Sequence, residues 1–141
     1  MVVDTNIVAS ASKEYVPYSL LVRIEGHRAA QIAVNPEIEA EYRPFLASQL
    51  LVQWHRLMAA KGKFFYVSGR APSQLVSDLV NELGFHHKDL KFVHAGYRAR
   101  ARALVYHGDE ANWSNVSDYL LSNAGFRVVP IGDAVHLLDE S

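Results

Sequence analysis

Apolar residues fall along this chain in two patterns. Short unbroken runs occur at 1–3 (MVV), 30–34 (AQIAV), 64–67 (FFYV), 103–106 (ALVY) and 127–130 (RVVP). Runs of that kind, without polar alternation, mark parallel strands buried on both faces. The segments between them carry apolar residues at helical spacing. Residues 17–28 hold Leu20, Leu21 and Ile24, and residues 48–60 hold Leu50, Leu51, Trp54, Leu57 and Met58. Asn35-Pro36 joins a favoured N-cap to Pro at the first helical position, starting a helix through about 46 that Pro44 kinks or ends. Pro72 opens another helix and Gly84 stops it. Residues 89–101 form a fifth, Ser114 caps a sixth that ends at Gly125, and Asp133 caps a last short one, AVHLL. Strands alternating with helices predict an α/β fold with a parallel sheet.

Composition narrows the class. The 141 residues predict one domain spanning 1–141, long enough for a real core. No apolar run is long enough to span a membrane, and the first residues lack the basic stretch and apolar core of a signal peptide. The chain has no cysteine, which excludes disulfides, thiolate zinc sites and cysteine nucleophiles and fits a reducing compartment, so the cytoplasm is expected. A net charge of -1 gives no global basic field for nucleic acid. Seven histidines show no ligand spacing, and the adjacent His86-His87 fall in a predicted loop, so a histidine metal site is not expected.

The informative residues are acidic. Open parallel sheets bind ligands beyond the carboxyl ends of their strands. Asp4 follows the first predicted strand, and Asp109 and Glu110 follow the fourth. In NPEIEAEYRPFL the apolar stripe is Ile38, Tyr42 and Phe45, and Glu41 falls inside it. A carboxylate there must reach a cleft, a cation or a proton. In KDLKFVHAGYRARA the stripe is Phe92, Val93, Gly96 and Ala99, and Asp89 lies on that same side in the first turn. Each acid also has an ordinary reading: Asp4 as a strand end bonded to turn amides, Asp89 as an N-cap, Asp109 as a turn residue, Glu41 as a surface residue. Their ordered recurrence favours a cluster. Clustered carboxylates raise one another's pKa unless a cation intervenes, and oxygen-only ligands suit Mg²⁺ or Mn²⁺. Such a site suits phosphodiester hydrolysis by activated water, with Asn6 as a neutral ligand or water holder.

These segments resemble the PIN-domain nucleases. VVDTNIV is similar to that family's opening strand with its D-T/S-N signature. VNPEIEAEY resembles its acidic helix, aligning Glu41 with the family's Glu. DLKFVHAGYRARARALVYHGDE resembles its D-x-K-F helix and following strand, aligning Asp89 and Asp109 with its last two acids. RVVPIGDAVHLL resembles the closing strand and short helix. The resemblance implies a three-layer α/β/α, Rossmann-like sandwich around a central parallel sheet. It implies Asp4, Glu41, Asp89 and Asp109 as catalytic metal ligands for Mg²⁺ or Mn²⁺, with Thr5, Asn6 and His107 as their supporting shell. It also implies cleavage of single-stranded RNA and, as in VapC-type toxins, a homodimer held in check by an antitoxin protein. His107 stands where the family has Thr or Ser, and the segment from Asp89 is one residue longer than the common pattern.

Two other readings compete. An Asp-nucleophile phosphotransferase also begins with a strand ending in Asp, but it needs a second Asp two residues on, where this chain has Asn6. A catalytically degenerate PIN-like module that binds RNA or a partner is the non-enzyme reading. Arg98 and Arg102, four apart on one predicted helix face, are candidate RNA-phosphate contacts or a solvated face. Lys61, Lys63 and Arg70 are similarly ambiguous, while Trp54, Trp113 and Phe64-Phe65-Tyr66 are expected in core or dimer packing.

Overall fold

Val2 and Val3, both fully buried, form strand β1 (Val2–Val3), and the chain turns at once into helix α1 (Thr5–Ser10). These features come from a computed structural model, which describes residues 1–139. Helix α2 (Tyr15–Gly26), strand β2 (Ile32–Val34), helix α3 (Pro36–Tyr42), helix α4 (Gln49–Ala60) and strand β3 (Phe64–Tyr66) follow. Helix α5 (Ser73–Ser77) runs into a wide π turn, Asp78–Glu82. A 3-10 turn, His87–Asp89, leads into helix α6 (Leu90–Ala99) and strand β4 (Ala103–Tyr106). Helices α7 (Glu110–Ser114) and α8 (Ser117–Ala124), strand β5 (Arg127–Pro130) and helix α9 (Ile131–Asp139) complete the order.

The fold is mixed α/β with every strand pair parallel, as the apolar runs predict. The strands form two small sheets, β1-β4-β5 and β2-β3. In the first, Val2 pairs with Leu104 and Val3 with Val105, and β5 flanks β4 from Ala103–Arg127 to Tyr106–Pro130. Hydrogen bonds from the Ala33 N–H to the Met1 carbonyl and from the Met1 amino group to the Gln31 carbonyl, both 2.8 Å, set β2 beside β1. The strands therefore lie in the sequence β3, β2, β1, β4, β5. The chain winds outward from β1 through β2 and β3, then returns to β1's other side with β4. That reversal is the switch point of an open parallel arrangement, and it lies between β1 and β4.

Helix α6 packs across β1, β2 and β4, and α9 packs on β4 and β5 and against α2. Both contacts use the apolar stripes of the helices. Phe92, Val93 and Ala95 are fully buried, and Gly96 meets Phe126 so closely that a Cβ there would stand 3.0 Å from the ring. Trp113 lies fully buried among Phe85, Phe92 and Tyr106, with ring centroids 5.1, 6.3 and 6.3 Å away. Trp54 is buried too, its indole N–H donating to the Leu21 carbonyl at 2.8 Å. Among the described residues no helix is long and apolar enough to cross a membrane.

Several boundaries differ from those predicted. Helices α1 and α7 were not expected, because each is short and begins right after an acid at a strand end. The helix from Asn35 stops at Tyr42, since Pro44 cannot continue it; Phe45 thus leaves the apolar stripe and is 39% exposed. Ser114 closes α7 instead of capping α8, which Val116 precedes and Gly125 ends. Asp133 is inside the first turn of α9, because that helix starts directly from β5. Phe64 is half-buried, whereas Phe65 and Tyr66 are exposed, because β3 has a partner on one side only.

Candidate functional site

The switch point fixes where two of the acids go. The Asp4 N–H donates to the Val105 carbonyl at 2.9 Å, which extends the β1–β4 ladder by one residue. Its carboxylate then stands at the start of α1, only 4% exposed, and does not cap that helix. Burial pushes the Asp4 carboxyl up to about 7, the charges of Asp89 and Glu41 add to the rise, and the backbone amides of Asn6 and His107 oppose it. Asp109 sits two residues past the turn at His107. It adopts the left-handed conformation (φ 50°) after Gly108 at φ 78°, a backbone that Asp tolerates better than most residues. This double left-handed step starts α7 immediately beyond the strand.

Asp89 comes from the other direction. It closes the 3-10 turn before α6 and is buried, yet its carboxylate caps nothing. Instead Asp89 Oδ2 accepts from Asn112 Nδ2 at 2.9 Å, while Asn112 Oδ1 accepts from the His86 N–H at 3.1 Å. One amide on α7 thus ties the turn before α6 to the loop after β4. Burial pushes the Asp89 carboxyl up and Asp109 adds to this, against Lys88, Lys91 and His86. His86 Nδ1 lies 3.4 Å from Asp109 Oδ2, and single ligand atoms of His86, Asp89 and Asp109 all fall within 4.8 Å of one another.

Glu41 has already found its cation. It accepts from Thr5 Oγ1 at 2.5 Å and from Lys91 Nζ, and Lys91 also donates to the Lys88 carbonyl at 2.5 Å. The Lys91 side chain is 14% exposed, so the pair is partly shielded from water. The four sequence-selected acids therefore share one end of the β1–β4 pair but divide: Asp89 and Asp109 come together with His86, whereas Asp4 and Glu41 lie outside that close group. Glu41 is neutralised from α6, whereas no ion pair reaches Asp4 among the described residues.

The supporting residues separate similarly. Thr5 holds Glu41. Asn6 Nδ2 donates to the His107 carbonyl at 3.0 Å, bridging the loops after β1 and β4. The His107 ring is 3.5 Å from Glu14 Oε2, so it meets the segment before α2. Arg98 and Arg102 do not share a helix face. Helix α6 ends at Ala99 because Arg100 turns left-handed (φ 52°) to feed β4, and Arg102 lies in that connection. Arg98 Nε donates to the Ser68 carbonyl at 3.1 Å. Both arginines belong to the trailing end of α6, whereas Asp89 leads it.

The sequence does not single out Lys91 or Asn112, and it presents His86 only as a loop histidine without ligand spacing. Lys91 stands inside the DLKF stretch beside Asp89, and Asn112 lies one helical turn after Asp109, so local spacing carried a signal for both. His86 carried none, because only the tertiary turn brings it to Asp109. The donors present are oxygen-rich, with one imidazole, and Asp4 is a buried carboxylate with a raised pKa. That chemistry fits a small hard cation such as Mg²⁺ or Mn²⁺. Comparison of the chain with protein-family models, with curated proteins and with solved structures found no match.

Proposed function

We propose that this chain is a metal-dependent endoribonuclease of PIN type, with the three-layer α/β/α arrangement its sequence resemblance implies and single-stranded RNA as its substrate. The observation that carries the reading is Asp4: a buried carboxylate at the switch point, facing the charges of Asp89 and Glu41, with no ion pair among the described residues. Asp4, Asp89 and Asp109 would hold the ion, with Glu41 at its edge and His86 within reach of Asp89 and Asp109. When bound, Mg²⁺ or Mn²⁺ supplies Lewis acidity toward water and neutralises charge at the phosphate.

The rest falls to the chain itself. Thr5 and Lys91 fix the Glu41 carboxylate from two sides. Asn112 fixes Asp89, and Asn6 locks the two loops that carry Asp4 and Asp109. Fixed carboxylates keep a reactive geometry without reorganising at the moment of reaction. Replacing Asp4 by Ala should abolish Mn²⁺-dependent RNA cleavage and lower Mn²⁺ affinity, read by paramagnetic resonance, with the circular dichroism spectrum unchanged. Cleavage that persists undiminished in that variant defeats the proposal.

The Lys91–Glu41 pair supports a second reading, a PIN-like module that binds RNA or a partner without cutting, since Lys91 occupies one carboxylate that a second metal would need. RNA binding with no Mn²⁺ uptake by the unmodified protein would favour it. An Asp-nucleophile phosphotransferase gains no support: Asn6, in the place of its second acid, spends its amide on the His107 carbonyl.

A further inference from the structure

A second cleft opens on the other side of α3. It has a volume of about 340 Å³ and is walled by His55, Phe64 and Tyr66 over the buried Tyr42, with Glu39 and Arg43 also lining it. The rings are held in place. Tyr42 donates its hydroxyl to the Val3 carbonyl, and Phe64 is wedged between Trp54 (5.9 Å, edge-on) and His55 (5.3 Å). Tyr66 is 63% exposed at the open edge of β3. Glu39 on α3 and Arg43, the residue that follows its last turn, lie four apart, yet among the described residues neither side chain has an ion pair. The cleft thus combines aromatic walls with one unspent acceptor and one unspent fork of donors.

We propose that this cleft is a guanine-reading subsite for a nucleotide of the RNA bound at the acidic centre. Flat bases stack on aromatic walls, and their edges are read by hydrogen bonds. Guanine offers N1–H and N2–H donors on one edge, which match the Glu39 carboxylate, and O6 and N7 acceptors on another, which match the Arg43 guanidinium. Adenine turns the N1 acceptor toward the carboxylate, and pyrimidines lack N7. The position fits as well. Glu41 faces the acidic centre, and residues two before and two after it on a helix lie on the opposite side. A base in the cleft therefore lies about one helix thickness, roughly 10 Å, from that centre. The subsite's role in RNA cleavage rests on the ribonuclease reading above, whereas its occupancy does not.

Titrating the metal-free protein with guanosine, adenosine and uridine 5′-monophosphates by calorimetry separates the two. Guanosine monophosphate should bind at least about tenfold more tightly than the others. Glu39→Gln should erase that preference, Arg43→Ala should weaken guanosine monophosphate about fivefold or more, and Asp4→Ala should leave binding unchanged even as it removes cleavage. Equal affinity for all three nucleotides, no binding at millimolar concentration, or indifference to both rim variants overturns the subsite. So does a Tyr66→Ala variant that changes only the sedimenting mass, because the aromatic rim is then a contact between protein molecules.

Discussion

The two ends of the β1-β4-β5 sheet are both charged, with opposite sign and unequal freedom. At the carboxyl ends, Asp4 and Asp89 are buried, and burial pushes both carboxyls up, with the charge of Asp89 adding to the rise at Asp4 and that of Asp109 to the rise at Asp89. At the amino ends, Arg100, Arg102 and Arg127 rim an open cleft of about 990 Å³ and are exposed to water. The arginines cost the fold little, because solvent screens them and their stems lie along the surface. The carboxylates cost it a great deal, because burial and like charge both disfavour the ionised form. That cost, borne at one end and not the other, is the contrast on which the proposed site rests.

The sharpest way to break this contrast is to remove its centre. Asp4→Ala should reduce Mn²⁺-dependent cleavage by a factor on the order of 100 or more, measured on a fluorescent single-stranded RNA. The next effect is on stability. Asp4 is raised from 3.8 to about 7 in the folded protein, so between those values the folded state holds a proton that the unfolded chain has released. The stability linked to this group is fully present below 3.8 and is lost as pH rises through about 7. Asp4→Asn should therefore stabilise the protein at pH 8, by up to about 3–4 kcal/mol in urea denaturation, and the gain should vanish toward pH 4. Saturating Mn²⁺ should shrink the same gain, because an ion bound as proposed would compensate the carboxylate in the unmodified chain. A gain that does not change with pH would mean that Asp4 is not held neutral by its surroundings.

Smaller effects refine the comparison. Lys91→Met leaves Glu41 with Thr5 alone and should destabilise by about 1–3 kcal/mol at pH 8, read from the denaturation midpoint. At the opposite end, Arg102→Ala should change stability by less than about 0.5 kcal/mol and cleavage by less than about twofold. A large loss of cleavage from Arg102→Ala would mean that RNA reaches the amino ends of the strands, and the division between the two ends would fail.

Much of this contrast was legible in the residues. The five apolar runs are the five strands, each within two residues of its predicted bounds, although only β1, β2 and β4 are buried throughout, whereas the outer strands β3 and β5 are partly exposed. Asp4 and Asp109 read as strand-end acids because they interrupt apolar segments so abruptly. Helical spacing turns Glu41 inward, whereas in the structure its side chain stays 38% exposed beside Lys91. What spacing does not carry is the partner. The cation for Glu41 comes from α6, fifty residues away in sequence. The amide that holds Asp89 comes from α7, a helix too short to leave a periodic signal. The arginines misled for the reverse reason: a four-residue spacing implies a shared face only while the helix continues, and α6 ends at Ala99.

The sequence by itself determined which segments are strands, that they pair in parallel, and that carboxylates fall at their ends and on one helix face. Those are local facts, set by how apolar residues alternate with caps, prolines and glycines. Only the tertiary structure decided how the charges are shared. It gave Lys91 to Glu41, Asn112 to Asp89 and His86 to Asp109, and it left Asp4 buried without an ion pair among the described residues. Electrostatic free energy depends on distance and solvation between groups remote in the chain, and neither is written in local spacing.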